Sequence, residues 1–157
     1  MFYYFAYGSN MDEDDLRTWC KKKTKPFPKW KLLGTACLGN YQLVFNYYSS
    51  GRNGGAANLM ESHNSKVYGL LFQMNEGDRT TIREKEGFPN YYEEIPVTVK
   101  HGDNSISDAI TYKVVKDKEK IEHQKPTKYY MGLILKNARN NKFPDEYIRY
   151  LESIETQ

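Results

Sequence analysis

Apolar positions fall in short blocks along the first two thirds of the chain and at helical spacing along the last third. Residues 2–7 (FYYFAY) form an unbroken apolar and aromatic run, the pattern of a strand buried on both faces. The run stops at Gly8-Ser9-Asn10, and the acidic stretch that follows predicts a helix over residues 11–22. Asn10 suits the cap of that helix, and Asp12, Glu13, Asp14 and Asp15 suit the positive end of its dipole. Strand-like runs follow at Leu33–Leu38 and Tyr41–Tyr48, joined through Gly39-Asn40, then at Ala56–Glu61 and Lys66–Met74, joined by a turn at His63-Asn64. Gly77–Gly87 reads as a short helix ended by Gly87. Two more strands, about Tyr92–Lys100 and Ile106–Val115, flank a hairpin turn at His101-Gly102-Asp103-Asn104. The last third switches to helical spacing. Tyr130, Leu133, Ile134 and Ala138 share one face, and Tyr147, Tyr150, Leu151 and Ile154 share another, with Pro144 in the first turn.

Strands that precede helices, without βαβ alternation, predict an α+β fold with a small mixed or antiparallel, barrel-like sheet flanked by helices. With 157 residues, no internal repeat and no linker, the expectation is a single domain over residues 1–157.

Composition adds a few constraints. The 14 tyrosines and 7 phenylalanines are in excess, and tyrosine suits a pocket that is apolar in area and polar at its tips. A net charge of +3 does not call for nucleic acid, and the basic run Lys21–Lys31, broken by Pro26 and Pro28, reads as a solvated loop. No segment has the length of an apolar membrane span, and the N-terminal run lacks the basic and small-residue flanks of a signal peptide. Cys20 and Cys37 are not spaced as metal ligands, and His63, His101 and His123 are scattered, so no metal and a reduced, cytoplasmic setting are expected.

Three features could carry chemistry. Backbone N–H groups at Tyr7-Gly8-Ser9-Asn10, feeding a helix N-terminus, can cradle an anion, and the same spacing fits a capped strand-to-helix turn equally well. Glu86 ends a helix, where its charge opposes the dipole, and aromatic residues follow it. A partly desolvated carboxylate there would suit a general base, while a solvated helix end is the plainer reading; Glu84 takes the plainer one. Tyr112, Tyr129 and Tyr130 are candidates for a pocket wall or for the core. The Gly-rich Gly51–Asn58 opens no helix and is therefore neither a P-loop nor a dinucleotide fingerprint.

Taken in order, Phe5-Ala6-Tyr7-Gly8-Ser9-Asn10, Tyr41–Asn46, Gly54-Gly55-Ala56-Ala57, Val67-Tyr68-Gly69-Leu70, Glu86-Gly87 with Tyr92, and Pro126-Thr127-Lys128-Tyr129-Tyr130 resemble the γ-glutamylcyclotransferase-like family over nearly the whole chain. The resemblance implies a cofactor-free enzyme in which the α-amine of a small γ-glutamyl substrate attacks its own γ-carbonyl and releases 5-oxoproline. It assigns Glu86 as general base and acid, the Gly8-Ser9-Asn10 backbone as oxyanion donors, and Tyr7, Gly54, Gly55, Tyr92 and Tyr130 as pocket residues. The form YGSN points to γ-glutamyl amino acids and related metabolites, and residues facing the leaving group are expected in Ser49–Asn53 and Lys116–Lys125. A monomer or homodimer is implied. A binding module of the same fold, without turnover, is the alternative, and an interaction protein using the basic loop is a third. The chain departs from the family pattern at Arg83, where an acid is common and an altered helix-end ion pair is expected. It also departs at Asn58, where a small hydroxyl residue is common, and at Lys136-Asn137-Ala138, where Gly-Ala is frequent.

Overall fold

The computed structural model describes all residues, Met1–Gln157. Five strands, β1 (Phe2–Ala6), β2 (Lys31–Ser49), β3 (Gly54–Met74), β4 (Tyr92–His101) and β5 (Asn104–Val114), close into a barrel in the order β1-β3-β2-β4-β5. Every pairing is antiparallel except β1 with β5, which closes the barrel in parallel register at Tyr3–Ala109 and Tyr4–Ile110. Four helices surround it: α1 (Glu13–Lys23), α2 (Glu76–Glu86), α3 (Lys128–Asn140) and α4 (Asp145–Glu152). None is long and apolar enough to cross a membrane. The expected class, a mixed barrel-like sheet flanked by helices, is the observed one.

Several local expectations change. The four strand runs between Leu33 and Met74 are two long strands, β2 and β3, paired almost throughout. The chain does not turn at Gly39-Asn40 or His63-Asn64. There the ladder slips from Gly39–Lys66 to Tyr41–Glu61, with Asn40 and Asn64 both at φ 64° and the Asn64 N–H donating to Asn40 Oδ1. Two glycine-like asparagine conformations so make an irregularity rather than two breaks, because each slips the ladder and neither ends it. The half beyond it, Tyr41–Ser49 against Gly54–Glu61, forms an arm that carries the loop Ser50–Asn53 to one end of the barrel.

Asn10 is not a helix cap. Ser9–Met11 form a single 3-10 turn, and Asp12 caps α1 by accepting from the Asp15 N–H at 2.9 Å. An aspartate serves better here, because its second oxygen also accepts from Asn137 Nδ2 (2.9 Å) and pairs with Lys136 (2.6 Å), tying α1 to α3. Asn137 and Lys136 belong to the stretch that departs from the family pattern. The basic run is solvated only in part. Lys21–Lys23 extend α1, and Trp30 stacks on Phe72 with ring centroids 3.9 Å apart. Helix α2 begins one residue earlier than expected, with a capping box between Asn75 and Asp78, and ends where expected at Gly87, whose φ of 68° costs a residue with a Cβ more than glycine.

The core joins both sides of the barrel wall. Phe5, Leu43, Leu59, Val67, Leu71 and Met74 are fully buried in the sheet, and Ile134, Ala138 and Leu151 bring α3 and α4 onto it. At about 25 cal/mol per Å² of apolar surface, each such Leu or Ile contributes roughly 2 kcal/mol relative to exposure.

One buried ion cluster fastens α2 to β4. Glu94, 8% exposed, accepts from Arg83 Nε and Nη2 (both 2.9 Å), from Arg79, and from the Tyr112 hydroxyl at 2.6 Å. The altered residue Arg83 thus has its partner in Glu94, the ion pair expected at that helix end. Burial opposes ionisation of Glu94, but the two guanidiniums and the tyrosine outweigh it and hold its pKa near about 2. A depressed carboxyl contributes stability above its unfolded value and loses it as pH falls toward the folded value. Glu94→Gln is expected to lower unfolding stability at pH 7 by about 2 kcal/mol, between the figures for exposed and for fully buried pairs. In urea titrations at a series of pH values, the gap from wild type should close between about pH 4.5 and about pH 2. A constant gap would show that packing, not charge, holds this joint.

Candidate active site

The turn after β1 is met by residues of six elements. β1 supplies Tyr4, the turn supplies Tyr7, Gly8, Ser9 and Asn10, and α2 supplies Glu86. β3 supplies Ala57, β4 and β5 supply Tyr92 and Tyr112, and α3 supplies Tyr130. Together they line a narrow inner chamber, with room for little more than a water molecule, in which five tyrosines surround one carboxylate. The chamber opens past Ser9, Glu86, Tyr92 and Tyr130 into an outer vestibule lined also by Trp19, Tyr47, Ser49, Arg52 and Lys85.

The tyrosine hydroxyls are tied to the protein and fix the wall. Tyr7 donates to the Tyr112 carbonyl (2.5 Å), Tyr92 to the Ala57 carbonyl (2.7 Å), and the Tyr130 hydroxyl accepts from the Ala57 N–H (3.0 Å). Burial raises the pKa of each, that of Tyr130 to about 12, so they are neutral hydrogen-bonding groups at physiological pH. Gly8 forms the floor. A Cβ there would lie 3.3 Å from the Ala57 Cβ and 3.6 Å from the Tyr130 hydroxyl, where it would take up part of the chamber.

Asn10 joins the two halves of the site. Its Nδ2 donates to Glu86 Oε1 at 2.8 Å and to the Tyr4 hydroxyl at 3.0 Å, while its Oδ1 is buried without a partner. In the 3-10 turn the first internal donor is the Met11 N–H, which bonds the Gly8 carbonyl at 3.1 Å. The N–H groups of Gly8, Ser9 and Asn10 precede it, have no acceptor within the protein, and are the orphan donors of the turn.

Glu86 ends α2, with Gly87 turning the chain away behind it. Burial raises its pKa above the ordinary 4.5, and the nearby positive charges of Lys85 and Arg52 oppose that rise. These charges belong to a small network. Arg52, at the tip of the β2–β3 arm, holds both oxygens of Asp15 (2.9 and 2.7 Å) and lies 5.2 Å over the Tyr130 ring, and the Lys85 ammonium stands 3.6 Å from Asp15 and 3.5 Å from Ser9 Oγ. No group of three or more His, Cys, Asp and Glu side chains converges to hold a metal ion.

Of the residues singled out in the sequence, Tyr7, Gly8, Ser9, Asn10, Glu86, Tyr92 and Tyr130 come together in this chamber. Gly54 and Gly55 do not line it. They lie where the backbone of 124–127 crosses the arm: the Gly55 N–H donates to the Lys125 carbonyl at 3.0 Å, and a Cβ on Gly55 would fall 1.8 Å from the Gln124 carbonyl oxygen. Their smallness admits a crossing strand of chain, and the adjacent Ala56 and Ala57 face the site. Ser49–Arg52 line the vestibule, whereas Lys116–Lys125 cover the outside of the arm through Lys120 and Gln124 N–H bonds to the Asn46 and Phe45 carbonyls. Asn58 replaces a small residue to good effect: fully buried, it accepts from the Val114 N–H (2.8 Å) and donates to Asn46 and Glu119. Tyr112 is in the wall, and Tyr129 is exposed. Sequence reading missed Tyr4, Asp15, Lys85 and the ion pair of Arg52. Only Lys85, adjacent to Glu86, carried a local signal.

Residues 66–151 match the AIG2-like family model. The chain is 29% identical over 161 residues to γ-glutamylcyclotransferase of Bos taurus and 28% identical over 162 residues to that of Homo sapiens, covering 98% of this chain and 79% of each relative. A solved structure titled γ-glutamyl cyclotransferase superposes with a TM-score of 0.84 at 26% identity, over 99% of this chain and 89% of the other.

A carboxyl with a raised pKa costs stability as pH rises from its unfolded value through its folded one. Glu86→Gln, which keeps the Asn10 contact, is therefore expected to melt at a higher temperature than wild type at pH 7 and at the same temperature below pH 4. Calorimetry across that range checks it, and a variant less stable at pH 7 would mean that the Glu86 charge is on balance stabilising.

Proposed function

Because the chain belongs to the AIG2-like family, we propose that it is a γ-glutamylcyclotransferase that works through Glu86 and the orphan donors of the Ser9–Met11 turn. The observation that supports this best is the position of one partly buried carboxylate, raised in pKa, bonded through Asn10 to the turn that bears those donors.

The substrate's α-amine arrives as an ammonium and cannot attack until it loses a proton, which the Glu86 carboxylate accepts. The freed nitrogen then bonds to the γ-carbonyl carbon, whose π electrons move onto oxygen. The developing oxyanion is met by the Gly8, Ser9 and Asn10 N–H groups, fixed in advance by the turn; one such donor is worth about 3 kcal/mol in the transition state. Collapse reforms the carbonyl and breaks the bond to the departing amine. In all, two protons leave the attacking nitrogen and two reach the departing one, so Glu86 relays one at a time and ends as it began. The products are 5-oxoproline and a free ammonium. Bound between the turn and Glu86, the γ-glutamyl chain is curled toward a five-membered ring, and this orientation lowers the barrier further because the reaction is already intramolecular. Tyrosine hydroxyls that stay neutral line the chamber without competing for the proton.

Incubation with a panel of γ-glutamyl amino acids and amines should yield 5-oxoproline, measured by chromatography. Glu86→Gln should lower kcat by about 10²–10⁴-fold. Because Glu86 must be ionised to act as base and its pKa is raised by burial, kcat/KM should fall on the acid side with a midpoint above the usual 4.5. Equal product from wild type and Glu86→Gln would sink this mechanism, and saturable binding without product from any substrate would support a binding module instead.

A further inference from the structure

The Lys85 side chain is 8% exposed, yet its ammonium has no hydrogen bond of ordinary length. Its two neighbours, Asp15 Oδ2 and Ser9 Oγ, stand 3.6 and 3.5 Å away, and both oxygens of Asp15 are already held by Arg52. A buried ammonium in this condition is costly, and the cost is offset where an anion completes its bonding. Lys85 faces the vestibule at its junction with the inner chamber, where Ser9 and Glu86 also lie.

The chemistry of the substrate says which anion fits, provided that the cyclotransferase reading holds, on which this step rests. A γ-glutamyl group carries its ammonium and its α-carboxylate on one carbon. When the ammonium reaches Glu86, the carboxylate must lie within one bond of the same place. A cation beside Glu86 is then matched to the carboxylate as Glu86 is matched to the ammonium. We infer that Lys85, with Ser9 Oγ beside it, binds the α-carboxylate of the γ-glutamyl substrate, so that Lys85 and Glu86 together read the two charges of its amino-acid end. Arg52, locked on Asp15, keeps Asp15 from drawing the ammonium away. Burial lowers the pKa of Lys85, and the adjacent Glu86 charge opposes part of that fall. The substrate class that follows is γ-glutamyl compounds with a free α-carboxylate, whatever amine they release.

The test compares two substrates in two proteins. Wild type should turn over γ-glutamyl-methylamide about 10²-fold better, in kcat/KM, than its α-carboxamide analogue, as expected for losing one member of a buried charged pair. In Lys85→Met, which keeps the length and apolar stem, this preference should fall to near unity; Lys85→Gln serves if the methionine variant fails to fold. The methylamide leaving group has no carboxylate, so a Lys85→Met defect seen with γ-glutamyl-alanine but not with γ-glutamyl-methylamide would place Lys85 against the leaving group and overturn the inference. An undiminished preference in the variant, or none in wild type, would overturn it too. Absence of 5-oxoproline from wild type with every substrate would instead overturn the cyclotransferase reading, and this inference with it.

Discussion

Much of the molecule follows from the need to hold one carboxylate away from water without neutralising it. An ionised side chain loses hydration on burial, and only opposing charge or donated hydrogen bonds can restore a part of that loss. Glu86 receives both in limited measure. Asn10 donates one hydrogen bond, and the positive charges of Lys85 and Arg52 act on it without forming a direct salt bridge. A bidentate arginine would have lowered its pKa, as Arg79 and Arg83 do for Glu94. The two glutamates, eight residues apart, show how environment alone pushes one carboxylate's pKa up and another's down.

The scaffold around Glu86 is correspondingly stiff. The cradle turn is pinned at both ends: Asn10 to Tyr4 and Glu86, and Asp12 to the first turn of α1 and to Asn137 and Lys136 of α3. Three of the five wall tyrosines, Tyr7, Tyr92 and Tyr130, are tied to backbone groups, and the other two, Tyr4 and Tyr112, to the buried side chains of Asn10 and Glu94. Groups fixed before substrate arrives need no reorganisation as charge develops, which is where most of the benefit of such a cradle lies.

How far this was legible in the sequence varies with the range of the interactions. The strand pattern, the helical faces of α3 and α4, and the glycine end of α2 come from local periodicity and from backbone conformations, and each was readable. Asn10 was misassigned because asparagine is a good cap by local rules, and its real partners, Tyr4 and Glu86, include one 76 residues away. Gly54 and Gly55 were misplaced for a similar reason. A glycine pair signals close approach of something, and only the fold shows that it is the 124–127 backbone rather than a ligand. The merging of four strand runs into β2 and β3 turned on Asn40 and Asn64. Both adopt a left-handed conformation that reads as a turn in sequence and here bends a continuing ladder. The charge network was invisible because Asp15, Arg52 and Lys85 lie on three different elements, and each alone has the pattern of a solvated residue.

That network also separates two tasks which a single pocket would confound. The inner chamber is made from β1, the turn, β3, β4, β5, α2 and α3, and its wall is bonded internally, so a change there disturbs Glu86 and the turn donors together. The vestibule is bordered by the arm loop, which the Arg52–Asp15 pair ties to α1 and the Gln157 side chain ties to the C-terminus through the Asn53 carbonyl. Arg52 anchors the loop from its tip, while Ser49, Ser50 and Gly51 line the vestibule without lining the inner chamber. Loops on a rigid base can change while the base persists. On the proposed function, Ser49–Gly51 are therefore the positions where variation would change the departing amine, while Lys85 and Glu86 sit on the last turn of a helix that Glu94 fastens to the barrel and stay fixed as the loop varies.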